Sequence, residues 1–224
     1  NMIIAEWKPL SELVDILKGH ANVLVAGCAT CVAECAAGGE REVETLAPLL
    51  QMALKKEGHT ITVRTRTVER QCEWEFVEEL AEMVPHVDAI VSLACGIGIQ
   101  AVAERFPDLA VYPGVNTTAL AIRQEPGMWI ARCAACGDCV LGETFGLCPV
   151  ARCAKSLSNG PCGGTRKEGK CEIDENLDCV WFQIYERAKS RGKVKELLKV
   201  RKPKNWSNSG HGGPKRVVRE DLRP

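Results

Sequence analysis

The residues of this chain best equipped to do chemistry are its cysteines. There are thirteen in 224 residues, and they form two sets. Cys28, Cys31, Cys35, Cys72 and Cys95 are spread through the first hundred residues, whereas Cys133, Cys136, Cys139, Cys148, Cys153, Cys162, Cys171 and Cys179 crowd into the stretch that follows. Thiolates are soft ligands, so close Cys-x2-Cys spacing points to zinc or to an iron–sulfur cluster. Disulfides explain the pattern less well. The number is odd, no basic-then-apolar leader precedes residue 30, and secreted disulfide scaffolds are usually far smaller. A cytoplasmic protein is expected. No apolar run approaches the ~20 residues of a membrane-spanning helix, so no membrane insertion is expected either.

Cys133, Cys136 and Cys139 form a Cys-x2-Cys-x2-Cys run, the spacing of ferredoxin-type iron–sulfur ligation, in which the fourth cysteine precedes a proline. Cys148-Pro149 supplies such a pair, although eight residues separate it from Cys139 where ferredoxins have about three. Cys153, Cys162, Cys171 and Cys179 are enough for a further four-coordinate metal site, and tetrahedral zinc would suit them as well as iron. The five earlier cysteines exceed what one four-thiolate site needs. Cysteine is also among the most buried residue types, so Cys35 or Cys72 taken alone reads equally well as packing.

Other chemistry is sparse. His20, His59, His86 and His211 have no cysteine beside them in the sequence. "ACGIGIQA" offers a Gly-x-Gly turn without the full dinucleotide-binding fingerprint. The five tryptophans (Trp7, Trp74, Trp129, Trp181 and Trp206) read as core or interface, and Glu78 and Glu79 as a solvated face.

The elements that must position these thiols follow from periodicity. "PLSELVDILKGH" (9–20) predicts a helix with Leu10, Leu13, Val14 and Leu17 on one face, and "NVLVAG" (22–27) a buried strand. A helix over 42–56, a strand over 60–68, a helix over 73–84, a strand running from 88 into a glycine turn, a helix over 99–106 and a strand over 109–114 complete the alternation. Alternating strands and helices imply an open, mainly parallel α/β sheet covered on both faces. Ligands of such sheets sit at the carboxyl ends of the strands. Cys28 follows the first predicted strand, Cys72 lies beyond the second and Cys95 ends the third, so one rim would receive all three.

From about Cys133 the periodicity fails. Too few large apolar residues remain to build a core unaided, and the eight cysteines supply the missing cross-links. A helix over 177–191, with Val180, Ile184 and Tyr185 inward, is extended by "KVKELLKV". Residues 187–224 hold 13 Lys/Arg against 3 Asp/Glu, so an acidic body ends in a basic tail although the formal net charge is zero. From Pro203 that tail is expected to be mobile unless a partner orders it. The expected organisation is an α/β domain over 1–130 with one cysteine site at the sheet rim, a cysteine-rich, metal-stapled, irregular α domain over 131–190, and a basic extension over 191–224.

"GCATCVAECAAGGE", "ERQCEWEF", "SLACGIGIQA", "CGDCVLG", "CPVARCAKSLSNGPCGG", "GKCEIDENLDC" and "VREDLR" together resemble the small iron–sulfur subunit of acetogen-type methylenetetrahydrofolate reductase, the MetV-type partner of a flavin-bearing barrel subunit. The similarity runs from about residue 5 into the tail and is most specific in the cysteine-rich half. The resemblance implies a non-catalytic electron-transfer subunit of one-carbon metabolism of the Wood–Ljungdahl type. Low-potential electrons from ferredoxin or a larger redox complex would pass through two [4Fe-4S] clusters to FMN in the barrel. There 5,10-methylene-tetrahydrofolate is reduced to 5-methyl-tetrahydrofolate. Carried over, Cys28, Cys31, Cys35, Cys72 and Cys95 are candidates for one cluster, while Cys133, Cys136, Cys139 and Cys148 begin a second. Flavin and folate residues would belong to the partner, and no nucleic acid is among the expected partners. Two rival readings stay open: a zinc-bound assembly module, and a dithiol oxidoreductase using Cys28 and Cys31.

Overall fold

The computed structural model describes residues 3–207, 209, 216–218 and 221, and the chain divides into two compact units, Asn1–Ile130 and Ala131–Pro224. Twelve of the tail's last seventeen residues, His211 and most of "VREDLR" among them, lie outside the described residues.

The first unit is built on a four-stranded parallel sheet. Its strands are β2 (Asn22–Cys28), β3 (Thr62–Val68), β4 (Ala89–Ser92) and β5 (Ala110–Pro113), in the order β3-β2-β4-β5. Successive residues of a strand face opposite sides, and β2 shows it well. Val23 and Val25 join one buried cluster with Val91, Leu46, Leu50 and Leu54, while Leu24 and Ala26 join another with Ile90, Val77, Leu80, Val102 and Phe106. The first face is covered by α1 (Leu10–Leu17) and α3 (Glu40–Lys56), the second by α4 (Trp74–Glu78) and α5 (Gly96–Arg105). A short helix, α2 (Cys31–Glu34), follows β2.

A second, three-stranded sheet in the order β1-β6-β7 lies outside the predicted alternation: β1 (Ile3–Trp7), β6 (Val115–Glu125) and β7 (Met128–Cys133). β1 runs antiparallel to β6, pairing Ile3 with Leu120 and Trp7 with Val115. Pro126 and Gly127 make the turn between β6 and β7, with Gly127 at φ +83°, a conformation open to glycine at little cost.

Two predicted helices are corrected. The helix expected over 73–84 stops at Glu78 and continues as turns and a single 3₁₀ turn, Val84–His86. In the second unit α7 covers Val180–Ser190, and "KVKELLKV" is a separate 3₁₀ segment, Val194–Leu198, cut off by Gly192 at φ +66°. Tyr185 is exposed rather than inward, because the buried face runs through Val180, Trp181, Ile184 and Ala188. Leu10, at the start of α1, is exposed as well. The remaining helix, α6 (Pro149–Arg152), is one turn long. Phe145 and Leu147 complete a small core with the buried face of α7, and Cys153 and Cys179 pack against it.

Candidate functional site

β2 and β3 extend the parallel sheet to one side, after which the chain returns across β2 to lay down β4 and β5 on the other. The crevice between β2 and β4 is therefore the topological switch point, where open α/β sheets bind ligands at the carboxyl ends of their strands. Cys28 is the last residue of β2, Cys95 is the residue preceding α5, three beyond β4, and Cys72 lies four residues beyond β3. The fold places all three at the carboxyl-end rim of the sheet. Burial pushes the Cys72 thiol above its ordinary pKa, and negative charge on Cys28 and Cys95 pushes it further, as like charges in proximity must.

The supporting backbone is specific. Cys28 N–H donates to Gly38 O (2.8 Å) and Ala29 N–H to Val68 O (3.0 Å), so the chain just past β2 is tied to both neighbouring loops. A side chain at Gly38 would run into the Leu93 carbonyl and into Val32, so the loop carrying Cys31 and Cys35 lies against the end of β4. Cys28 is 6% exposed, with its Sγ 3.6 Å from Thr30 Oγ1.

Cys35 goes elsewhere. Its Sγ lies 3.7 Å from Ala5 O and 3.5 Å from Val32 O, Ala5 N–H points back at it (3.5 Å), and it packs against the core between α2 and β1. Burial raises the pKa of this thiol, with a contribution from Cys31. Cys31, the first residue of α2, is half-buried, so a Cys28–Cys31 redox pair would present only one accessible sulfur.

Sequence reasoning missed Gln71, which is fully buried at this rim. It donates to Ala26 O (3.0 Å) and Gly27 O (2.9 Å) and accepts from Ser92 Oγ (2.6 Å), which in turn accepts from Ala94 N–H (3.2 Å). A lone glutamine in "ERQCEWEF" carries no periodic signal that could have shown this. The Gly-x-Gly turn also finds its explanation here: a Cβ on Gly98 would lie 2.8 Å from Ala94 Cβ and 2.9 Å from Gln71 Cβ. Gly98 thus permits close packing of α5, and the Gly96 amide, rather than facing a sulfur, donates to Thr117 Oγ1 (2.9 Å).

In the second unit, Cys153, Cys162, Cys171 and Cys179 line one cavity of about 20 Å³. Residues 169–179 fold back on themselves, with Cys171 N–H donating to Leu177 O and Cys179 N–H to Gly169 O, both at 2.8 Å. Donors point at the sulfurs: Gly164 N–H at Cys162 Sγ (3.4 Å) and Thr165 Oγ1 at Cys179 Sγ (3.2 Å). Such hydrogen bonds orient a sulfur and tune a metal it holds. Glu172, ion-paired with Lys155, also reaches Cys162 (3.3 Å).

Of the Cys-x2-Cys-x2-Cys run, Cys133 and Cys139 are exposed and Cys136 is half-buried. Cys148 is the N-terminal cap residue of α6 with Pro149 in its first turn. Cys139 lies on the wall of an open cleft of about 670 Å³. The first residues of the tail fold back to the same place, Lys204 and Asn205 onto Asp138 and Arg201 onto Glu143, so they are held without a partner. Among the described residues no three Cys, His, Asp or Glu side chains already stand at metal-holding separations; the thiols are gathered rather than coordinating. His20 is engaged elsewhere, bridging Asp88 and Tyr112 at 3.1 Å each. Glu78 and Glu79 are exposed and pair with Arg105 and Arg66. No described helix is long and apolar enough to cross a membrane.

Residues 112–207 match the family model described as methylene-tetrahydrofolate reductase C terminal. No curated protein and no solved structure matches the chain. The matched stretch takes in all eight cysteines of the second unit and begins at β5 of the first.

Proposed function

We propose that this chain is an iron–sulfur electron-transfer subunit of a methylenetetrahydrofolate reductase, handing low-potential electrons from ferredoxin or a larger redox complex to FMN in a partner barrel subunit. The family match over residues 112–207 supports the association with that reductase. The observation that carries the electron-transfer reading is the convergence of Cys28, Cys72 and Cys95, from three separate strand ends, on the switch point of the sheet. Thiols kept only for packing need no such meeting. Three soft donors, with Cys31 following in α2, suit the four-cysteine ligation of a [4Fe-4S] cluster. A bound cluster would supply one-electron transfer. The chain's own residues would hold the thiolates, bury Cys28 and set the Thr30 hydroxyl 3.6 Å from its sulfur.

Cys133, Cys136, Cys139 and Cys148 are proposed to hold a second cluster, with Cys139 reachable from the open cleft. For Cys153, Cys162, Cys171 and Cys179 the zinc reading is favoured by the size of their cavity. About 20 Å³ is close to the ~10–15 Å³ of one water-sized probe, which suits one ion better than a cluster of four irons and four sulfides.

The test is to purify the chain without oxygen, reduce it with ferredoxin, and add the FMN-loaded barrel subunit. Visible absorption that bleaches on reduction and returns as the flavin is reduced is the expected result. A colourless protein that binds the barrel without passing electrons would leave the assembly-module reading in its place.

A further inference from the structure

The thiols that converge at the switch point belong to segments far apart in the chain, so something must fix their relative positions before any metal arrives. One side chain touches every segment concerned. The amide nitrogen of Gln71 donates to the carbonyls of Ala26 and Gly27 (3.0 and 2.9 Å), the two residues before Cys28. Its amide oxygen accepts from Ser92 Oγ (2.6 Å), and Ser92 Oγ takes the N–H of Ala94 (3.2 Å), the residue before Cys95. Gln71 is itself the residue before Cys72. Its Cβ also packs against Gly98, in the first turn of the helix that follows Cys95, where no side chain would fit.

We infer that Gln71, with Ser92, is the positioning residue of this site: a buried clasp that holds Cys28, Cys72 and Cys95 in place around the switch point. The inference rests on the reading of these thiols as a ligand set and adds the device that preorganises them. Both side chains are fully buried, and a buried polar group is retained only where its hydrogen bonds are made. Hydrophobic residues would fill the same space without directing anything. A glutamine offers two N–H bonds and an acceptor from one planar group, which matches two carbonyls on one strand and a hydroxyl on the next.

The test uses the metal-free full chain and phenylarsine oxide, which condenses with two neighbouring thiols to form two As–S bonds with loss of water and no change in oxidation state. Digestion and mass analysis identify the bridged peptides. In the wild-type chain, bridges between the Cys72 peptide and the Cys28 or Cys95 peptide are expected. In Gln71→Leu their yield should fall roughly tenfold, equivalent to about 1.4 kcal/mol, while circular dichroism matches that of the metal-free wild type. Ser92→Ala should show an intermediate loss, and Ser92→Thr, which keeps the hydroxyl, should restore bridging. Where Gln71→Leu fails to fold, the Ser92 pair decides the matter. Unchanged bridging in folded Gln71→Leu, or in Ser92→Ala if the former is lost, would overturn the clasp, because a merely stabilising role lowers the melting temperature and leaves the thiols together. Iron content of Cys28→Ser and Cys95→Ser, measured in parallel, separates the two ideas. If it equals that of the wild type, the cluster reading fails, and the arsenical result still decides whether Gln71 positions the thiols.

Discussion

The two units solve the problem of holding thiols in opposite ways. In the first, two buried clusters sandwich a parallel sheet and the fold delivers Cys28, Cys72 and Cys95 to its rim. The thiols there are passengers on a scaffold that stands without them. In the second, among the described residues, one small buried cluster is formed by Phe145, Leu147, Val180, Trp181, Ile184 and Ala188, and two of the cysteines pack directly against it. A core of that size contributes too little to order some ninety residues unaided, so cross-links must do the rest. The contrast teaches that one residue type serves two ends: ligand delivery where a core exists, and core replacement where it does not.

The sharpest way to break this comparison is to remove metal. Treating the chain with a strong chelator, or replacing Cys171 with serine, should unfold the second unit and spare the first. Structural metal typically contributes on the order of 10 kcal/mol to such domains. Limited proteolysis should then cut throughout residues 131–207 while a fragment ending near residue 130 survives; equal resistance of both units would count against the distinction. Next in size is a core cavity. Leu24→Ala should destabilise the first unit by ~2–5 kcal/mol, with a midpoint in denaturant that is insensitive to chelator. Gly38→Ala should cost ~1–3 kcal/mol, since its methyl group meets the Leu93 carbonyl and backbone yields little. It should also raise the reactivity of the Cys28 thiol toward alkylating reagents, because the Gly38 carbonyl anchors the Cys28 amide.

The smallest effect concerns acid. Burial opposes ionisation of Asp88, and the amides of Ala21 and Asn22 together with His20 outweigh it, leaving the carboxyl below its ordinary pKa. A folded-state pKa below the unfolded value stabilises above the unfolded pKa and is lost as pH falls through the folded one, here below about pH 4. Asp88 is 43% exposed, so solvent screening keeps the effect under ~1 kcal/mol. Asp88→Asn should flatten the acid limb of the first unit's stability curve; an unchanged slope would remove Asp88 from the account.

Much of the first unit was legible because its strands alternate with amphipathic helices and its cysteines fall just beyond strand ends. The hairpin of β6 and β7 was missed although Pro126-Gly127 is a turn signal, because "AIRQE" and "MWIARC" on either side of it mix apolar and charged residues without a clean two-residue alternation. β1 was missed because five residues, "IIAEW", are too short to show a period. The helix over 73–84 was overextended because "EELAEMV" keeps helical spacing, although the chain past Glu78 runs through turns into the 3₁₀ turn Val84–His86. Gln71 lay beyond reach for a different reason: its role exists only where β2, β4 and α5 meet, and no local pattern encodes that meeting. In the second unit the sequence already set Cys153, Cys162, Cys171 and Cys179 apart as a four-coordinate set; the fold lines one cavity with them, while Cys139 faces an open cleft.

The central claim is that the rim of the first unit holds an iron–sulfur cluster. It is tested most directly by measuring iron, acid-labile sulfide and zinc per chain in anaerobically purified wild type, Cys28→Ser and Cys95→Ser. The account predicts that each substitution removes about four iron and four sulfide, the content of one [4Fe-4S] cluster, and leaves zinc unchanged. Iron and sulfide equal to wild type in both variants, or zinc without sulfide in all three proteins, would contradict it.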